Sequence, residues 1–117
     1  MINILEYSDI TFPEDFLWGA STAGQQIEGN NNSFYDDKEI APKFAYGGVP
    51  YQMAGRACNS YEMYKEDIAL LKKMHLNSYR MSLEWSRIEP VEGQFDEKEI
   101  EHYRDVLKEL KKKQMIV

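Results

Sequence analysis

The chain has 117 residues, of which 43% are hydrophobic, 13% aromatic and 29% charged, and this ordinary globular composition excludes a disordered or low-complexity protein. Its formal net charge of −6 argues against nucleic acid or an anionic membrane as a partner, since both attract clustered lysine and arginine. One cysteine and two histidines exclude an intrachain disulfide framework and offer no recognisable zinc spacing, so no metal is expected.

The beginning of the chain carries no recognisable targeting pattern. Residues 1–11 lack the basic start, apolar stretch and small-residue cleavage site of a secretory signal peptide. No run of residues approaches the length of a membrane-spanning helix. We therefore expect a cytoplasmic location and no membrane partner.

An apolar run changes abruptly into small and then polar residues within residues 16–29, which read FLWGASTAGQQIEG. Residues 16–18 predict a short buried strand, and the small residues after it leave room for a ligand or a second backbone to come close. Gln25, Gln26 and Glu28 then supply donors and acceptors suited to hydroxyl groups. Composition alone leaves open a tight strand-to-helix turn with solvated amides.

A long loop is predicted next, from Asn30 to about Asn59, because this stretch contains Pro42, Pro50 and several glycines. A loop of this length is usually functional or partly mobile. Near its end, Cys58 is expected to be a buried small hydrophobic residue rather than a reactive thiol.

The first long helix is predicted to begin near Asn59 and to run to Met74. Asn59 is the expected cap, with Glu62 three residues later as in a capping box. The apolar residues recur at helical spacing: they are Tyr61, Tyr64, Ile68 and Leu71, widened by Met63 and Leu70.

The second long helix repeats this pattern, with Asp96 as the cap and Glu99 three residues later. Three lysines at residues 111–113 close it, where cations complement the carbonyl end of the helix dipole. Its predicted apolar face consists of Ile100, Tyr103, Leu107 and Leu110.

Between these helices, residues 78–84 alternate as a strand does. Its apolar face has Tyr79, Met81 and Leu83, and its polar face has Arg80, Ser82 and Glu84. The order of strands and helices predicts a parallel α/β sheet. If this sheet closes into a barrel, its apolar face meets the helices. Arg80 then lies inside the barrel, where it needs a carboxylate partner. Read from the residues alone, that partner is Glu84 or another buried acid without catalytic meaning.

Four stretches in this order resemble glycoside hydrolase family 1, which contains β-glucosidases, β-galactosidases and 6-phospho-β-glycosidases. They are residues 16–29, ACNSY at 57–61, YKED at 64–67 and YRMSLEWSRI at 79–88. The resemblance implies a partial (β/α)8 barrel: the first two βα units plus the start of the third strand at residues 114–117. Because such a barrel takes roughly 250 residues, residues 1–117 are expected to be the truncated N-terminal part of one barrel domain.

The resemblance also implies roles for individual residues. Gln26 corresponds to a glutamine that binds sugar hydroxyls, and Arg80 to an arginine that holds the catalytic nucleophile ionised. Trp85 lines the pocket or closes the barrel mouth, and Glu28 is a structural carboxylate. The family's two catalytic glutamates lie at the ends of the fourth and seventh strands, beyond Val117, so we expect no catalytic residue in this chain and no activity from it alone.

For the complete enzyme, the resemblance implies hydrolysis of a β-linked glycoside with retention of configuration and without a cofactor. Residues 30–35 and 84–88 favour the β-glucosidase and β-galactosidase branch. Two alternatives are a 6-phospho-β-glycosidase and a complete, non-catalytic βα module that self-associates through exposed sheet edges. A truncated or proteolysed product remains a third.

Overall fold

Two short parallel strands form the centre of the structure, which is a computed structural model that describes residues 11–44 and 52–117. Strand β1 is Gly19–Ser21 and β2 is Ser78–Arg80, with Gly19 opposite Ser78 and Ser21 opposite Arg80. Ile116 forms a parallel bridge with Ser78 on the other side of β2. Of the third strand predicted to begin at residues 114–117, the described residues therefore show one bridge to the two-stranded sheet.

Helices alternate with these strands. The short α1, Gly24–Ile27, follows β1, and α2, Ser60–Lys73, carries the chain back to the start of β2. The short α3, Trp85–Ile88, follows β2, and α4, Glu97–Lys112, leads to Ile116. A 3-10 helix lies at Ala41–Phe44. The long loop predicted from residue 30 to 59 includes residues 45–51, which lie outside the described residues, as do residues 1–10.

The hydrophobic core lies where α2 and α4 pack on one face of the sheet. Its buried members are Ile68, Val106, Leu110 and Met115, and the partly buried side chains against them are Tyr64, Leu71, Leu76, Tyr79 and Met81. The predicted helix faces are therefore largely correct. Leu107, however, is 41% exposed. The buried residues of α4 are Tyr103, Val106 and Leu110, which follow one another at helical spacing, and Leu107 lies beside that line. Met63 and Leu70 are likewise exposed rather than part of the apolar stripe.

The two predicted helix caps differ in outcome. Asp96 accepts a hydrogen bond from the Lys98 N–H at 2.9 Å, which confirms the cap of α4. Asn59 precedes α2 in a left-handed conformation (φ 57°, ψ 31°), and its side chain makes no capping bond. The capping box predicted there is wrong, since an Ncap side chain reaches the helix from extended backbone.

The buried strand predicted at residues 16–18 is also wrong, because pairing starts only at Gly19 and all three side chains are exposed. Instead, the amide of Asn77 holds this segment: its Oδ1 accepts from the Trp18 N–H, and its Nδ2 donates to the Phe16 carbonyl. A Cβ at Gly19 would overlap Ser78, so the small residue does allow a second backbone to approach. Cys58 is exposed, not buried, because it lies in the turn before α2.

Candidate functional site

The carboxyl ends of β1 and β2 lie at one edge of the sheet, because the strands are parallel and in register. In parallel α/β barrels the active site is built from the loops at this edge. Here the two chain segments that leave it are joined: the Thr22 N–H donates to the Arg80 carbonyl at 3.0 Å, and the Gly24 N–H donates to Ser82 Oγ at 2.7 Å.

The three residues predicted to serve a site lie at or after the ends of these strands. Gln26 lies in α1, Arg80 ends β2 and Trp85 begins α3, and all three side chains are exposed. Trp85 Nε1 donates to Glu89 Oε2 at 2.7 Å. Within residues 11–44 and 52–117, the side chains of Gln26 and Arg80 form no hydrogen bond or ion pair.

Arg80 differs from its prediction in one respect. It was expected to be buried and paired with a carboxylate, but it lies on the sheet face that the described residues leave uncovered. There it lines a shallow depression with Ala20 and Ile116, and neither Gln26 nor Trp85 shares that lining. Glu84, the alternative partner, is buried and accepts instead from the hydroxyl of Ser86 at 2.7 Å.

The buried polar residues beside α1 form a closed network centred on Glu28. The Tyr103 hydroxyl lies 2.9 Å from both carboxylate oxygens of Glu28 and donates to them, and Arg87 Nε donates to Glu28 Oε2 at 3.0 Å. The Tyr103 oxygen in turn accepts from the Glu84 N–H at 3.1 Å. We call these residues, Glu28, Arg87 and Tyr103, the buried network. Glu28 is therefore bonded on both carboxylate oxygens by its own chain, as expected of a structural carboxylate.

Burial governs the titration of the buried network. It raises the pKa of Glu28, an effect that the Tyr103 hydrogen bond and the nearby Arg87 charge oppose without cancelling. Burial and the Glu28 carboxylate raise the pKa of Tyr103 far above its ordinary value. Tyr103 therefore stays protonated at neutral pH and remains a donor to Glu28.

Arg87 extends this network toward the loop that follows α1. Its Nη2 donates to the Gly29 carbonyl and, at 3.0 Å, to Asn31 Oδ1. Its guanidinium lies over the ring of Tyr61, with Cζ 4.1 Å from the ring centroid. His102 stacks on Tyr61 with a centroid distance of 3.8 Å. The Tyr61 hydroxyl donates to Glu99, and burial together with this bond raises the pKa of Tyr61 to about 12.

Sequence reasoning missed the buried network because its members lie 59 and 75 positions apart. The one available signal was Glu28 itself, a carboxylate one residue after the apolar Ile27, which requires partners if it is buried. No group of three or more histidine, cysteine, aspartate or glutamate side chains within the described residues could hold a metal ion. In the same ranges, no helix combines the length and apolarity that crossing a membrane requires.

Comparison with known proteins gives consistent matches in family, sequence and structure. The family model described as Glycosyl hydrolase family 1 matches residues 8–116. Beta-glucosidase A from Acetivibrio thermocellus is 39% identical over 101 residues, which are 83% of this chain and 22% of that protein. Myrosinase 1 from Brevicoryne brassicae is 37% identical over 114 residues, which are 92% of this chain and 25% of that protein.

Solved structures give the same picture. The AHE enzyme from Alicyclobacillus herbarius superposes with a TM-score of 0.77 at 35% identity, over 93% of this chain and 25% of that one. A beta-glycosidase from Pyrococcus horikoshii gives a TM-score of 0.74 at 39% identity, over 89% and 23%. The chain thus spans about a quarter of the length of the relatives it matches.

Proposed function

The chain belongs to glycosyl hydrolase family 1, and from this we propose that it forms the N-terminal portion of a retaining β-glycosidase of the β-glucosidase type. The observation that carries the proposal is the register of the two strands. Ser21 lies opposite Arg80, so the segment that bears Gln26 and the residue expected to support the nucleophile leave the sheet at the same edge. That is the edge on which barrel active sites are built.

Each predicted residue has a role that its chemistry suits. The amide of Gln26 both donates and accepts, as binding of a sugar hydroxyl requires. The guanidinium of Arg80 beside a carboxylate nucleophile favours the ionised, reactive form. Trp85 lines the pocket or closes the barrel mouth. The exposure of Gln26 and Arg80 in this chain leaves both side chains available for such partners.

The reaction that we propose for the complete enzyme is hydrolysis of a β-linked glycoside through a covalent glycosyl-enzyme intermediate. Two carboxyl groups about 5 to 5.5 Å apart act as nucleophile and as acid, then base, and the family resemblance assigns both to chain beyond Val117. The chain alone is therefore expected to be inactive. No cofactor is required by this chemistry. Names of relatives such as Beta-glucosidase 11 from Arabidopsis thaliana favour a glucoside.

A chimera tests this function. Residues 8–116 replace the matching segment of Beta-glucosidase A from Acetivibrio thermocellus, and hydrolysis of a chromogenic aryl β-glucoside is measured. We expect the chimera to release the β-anomer first, as judged by NMR, and both the 117-residue chain and the rest of the relative alone to be inactive. A chimera that unfolds cooperatively but does not hydrolyse the glucoside would contradict the proposal. Hydrolysis by the chain alone would contradict its predicted inactivity.

A self-associating βα module is the second candidate. The observation that favours it is the exposure of Leu17, Ile116 and Val117 beside the sheet, in a chain whose described residues pair β1 on one edge only. Sedimentation of the 117-residue chain tests it: a discrete dimer or larger closed assembly would support the module, and a monomer would contradict it. The cytoplasmic location stays a prediction under either function.

A further inference from the structure

Helix α1, which bears Gln26, needs support from outside itself. It is a single turn of four residues, and a turn this short is not stable alone in water. Its N-terminal cap, Ala23, makes no side-chain capping bond. Its first N–H, that of Gly24, donates to Ser82 Oγ at 2.7 Å. The carbonyls of Gly24 and Gln25, the residues just before Gln26, are held by a different side chain.

That side chain is Asn31. Its Nδ2 donates to the Gln25 carbonyl at 3.2 Å and to the Gly24 carbonyl at 3.4 Å, while its Oδ1 accepts from Arg87 Nη2 at 3.0 Å. The orientation of this amide follows from chemistry, because a guanidinium has only donors and the backbone carbonyls only accept. Asn31 therefore uses both ends of its amide to join Arg87 to the turn that precedes Gln26.

Arg87 is a firm anchor for this link. Its side chain is 15% exposed and is paired with Glu28, which is buried and also bonded to Tyr103. Its guanidinium also packs on the ring of Tyr61. Arg87 lies in α3, Tyr103 in α4 and Tyr61 in α2. The helices behind the sheet therefore set the position of the α1 turn.

We propose that Asn31 is a positioning residue for the sugar-binding glutamine Gln26. By holding the two carbonyls before Gln26, it sets the direction in which the Gln26 amide meets the sugar hydroxyls. The proposal rests on the proposed function, since it takes the role of Gln26 from there. Asn31 itself is not assigned a contact with substrate.

The chain offers a matched pair of variants, made in the chimera that carries residues 8–116. Asn31→Asp keeps an oxygen for Arg87 but removes both donors to the Gly24 and Gln25 carbonyls. Asn32→Asp makes the same change one residue later, on an exposed side chain with no hydrogen bond in the described part of the chain. We expect kcat/KM for the aryl β-glucoside to fall roughly tenfold or more in Asn31→Asp, as a misplaced binding group allows, and to be unchanged in Asn32→Asp.

A second readout separates positioning from a general structural defect. Aryl β-glucosides that each lack one ring hydroxyl are compared with the parent glucoside. If Asn31 acts through Gln26, Asn31→Asp lowers the penalty for the missing hydroxyl that Gln26 binds and leaves the other penalties unchanged. An equal loss of activity on every substrate would overturn the proposal. Thermal unfolding shows whether Asn31→Asp is folded. If it is not, Asn31→Ala, which carries no added charge, is measured in its place.

A double-mutant cycle distinguishes failure of this inference from failure of the proposed function. We expect Gln26→Ala to lower kcat/KM strongly, and the addition of Asn31→Asp to lower it no further. If Gln26→Ala has no effect, the proposed role of Gln26 fails. If Gln26→Ala has its effect but the losses from the two substitutions multiply, the role of Gln26 stands and the positioning role of Asn31 is contradicted.

Discussion

The helix side of the sheet and the edge at its strand ends differ in how far this chain completes them. On the helix side, the core residues Ile68, Val106, Leu110 and Met115 bury one another, and Glu28 finds Tyr103 and Arg87 within 3.0 Å. We call this side, core and buried network together, the helix layer. At the carboxyl ends of the strands, by contrast, Gln26, Arg80 and Trp85 are exposed, and we call these three residues the strand-end group.

This difference separates polar residues that have partners within the chain from polar residues that are exposed to water. A buried polar group without a partner is costly, and the helix layer supplies every partner locally. No buried side-chain nitrogen or oxygen in the described residues lacks a hydrogen bond. Gln26 and Arg80 in the strand-end group keep their polar side-chain atoms in water, so they contribute little to stability; under the proposed function they stay available for sugar or for a carboxylate of the complete enzyme. Substitutions in the helix layer should therefore lower the free energy of unfolding, whereas substitutions in the strand-end group should lower activity and leave stability unchanged.

The largest expected effect is on the helix side. Leu110 is fully buried, so Leu110→Ala removes its apolar contacts and leaves a cavity, and we expect the free energy of unfolding to fall by about 2 to 5 kcal/mol. Leu107→Ala is the matched control in the same helix, because Leu107 is exposed, and its effect should stay within about 1 kcal/mol. Urea denaturation measures both. Equal losses from the two variants would contradict the assignment of the buried face of α4.

Glu28→Gln is expected to have the next largest effect. It leaves the guanidinium of Arg87 without its carboxylate, at a site where both side chains are mostly buried. Breaking a buried ion pair costs about 3 to 5 kcal/mol, and the remaining bonds of Arg87 to Gly29 and Asn31 should hold the loss of unfolding free energy to about 2 to 3 kcal/mol.

The control for this substitution is Glu92→Gln, at an exposed glutamate for which the described part of the chain provides no ion pair. We expect it to change the unfolding free energy by less than about 0.5 kcal/mol. Thermal unfolding of the two variants, followed by circular dichroism, gives the comparison. Similar stabilities for both would show that the buried network is not a stabilising element.

Sequence reasoning predicted the helix layer better than its polar details. The apolar residues around Ile68 in α2 and around Leu110 in α4 recur with the helical period, which is a local property. Both helices and their main buried residues were therefore foreseeable. The late start of β1 at Gly19 depends on its pairing with β2, which is distant in sequence. The left-handed Asn59 belongs to a turn in which its N–H donates to the Arg56 carbonyl, and such a turn has no periodic apolar pattern. Spacing along the chain carries no record of such contacts.

The candidate site was foreseeable in part for the same reason. Gln26 and Trp85 follow predicted strands and Arg80 lies in one, so their common edge could be inferred from the parallel topology. The link from Arg87 through Asn31 to the α1 turn could not, because it joins residues 56 positions apart through a loop whose path has no periodic pattern. In the sequence, Asn31 is one residue of the long loop predicted from Asn30 to about Asn59.

A smaller effect is expected from acid. Burial lowers the pKa of His102, as does the Arg87 charge, while Glu99 opposes them. The unfolded chain therefore binds a proton at higher pH than the folded chain does, and this destabilises the fold as pH falls from about 6.5 toward the lower folded pKa. His102→Gln should weaken this loss of stability. Urea midpoints at pH 8 and pH 5 measure it; an unchanged difference between the two pH values would contradict the burial of His102 on Tyr61.

The smallest expected effect on stability lies in the strand-end group. Arg80→Gln removes an exposed charge that forms no ion pair with the described residues, so the free energy of unfolding of the 117-residue chain should change by less than about 0.5 kcal/mol. Urea denaturation beside Glu28→Gln provides the scale. A loss as large as that of Glu28→Gln would mean that Arg80 already has a structural partner in this chain.

The most direct test of the account is Gln26→Ala in the chimera, with kcat/KM for the aryl β-glucoside and the urea midpoint measured on the same sample. If the strand-end group serves substrate and the helix layer serves folding, kcat/KM falls by roughly tenfold or more while the midpoint is unchanged. An unchanged kcat/KM, or a loss of activity that only accompanies a lower midpoint, would contradict the assignment of folding to the helix layer and of substrate binding to the strand-end group.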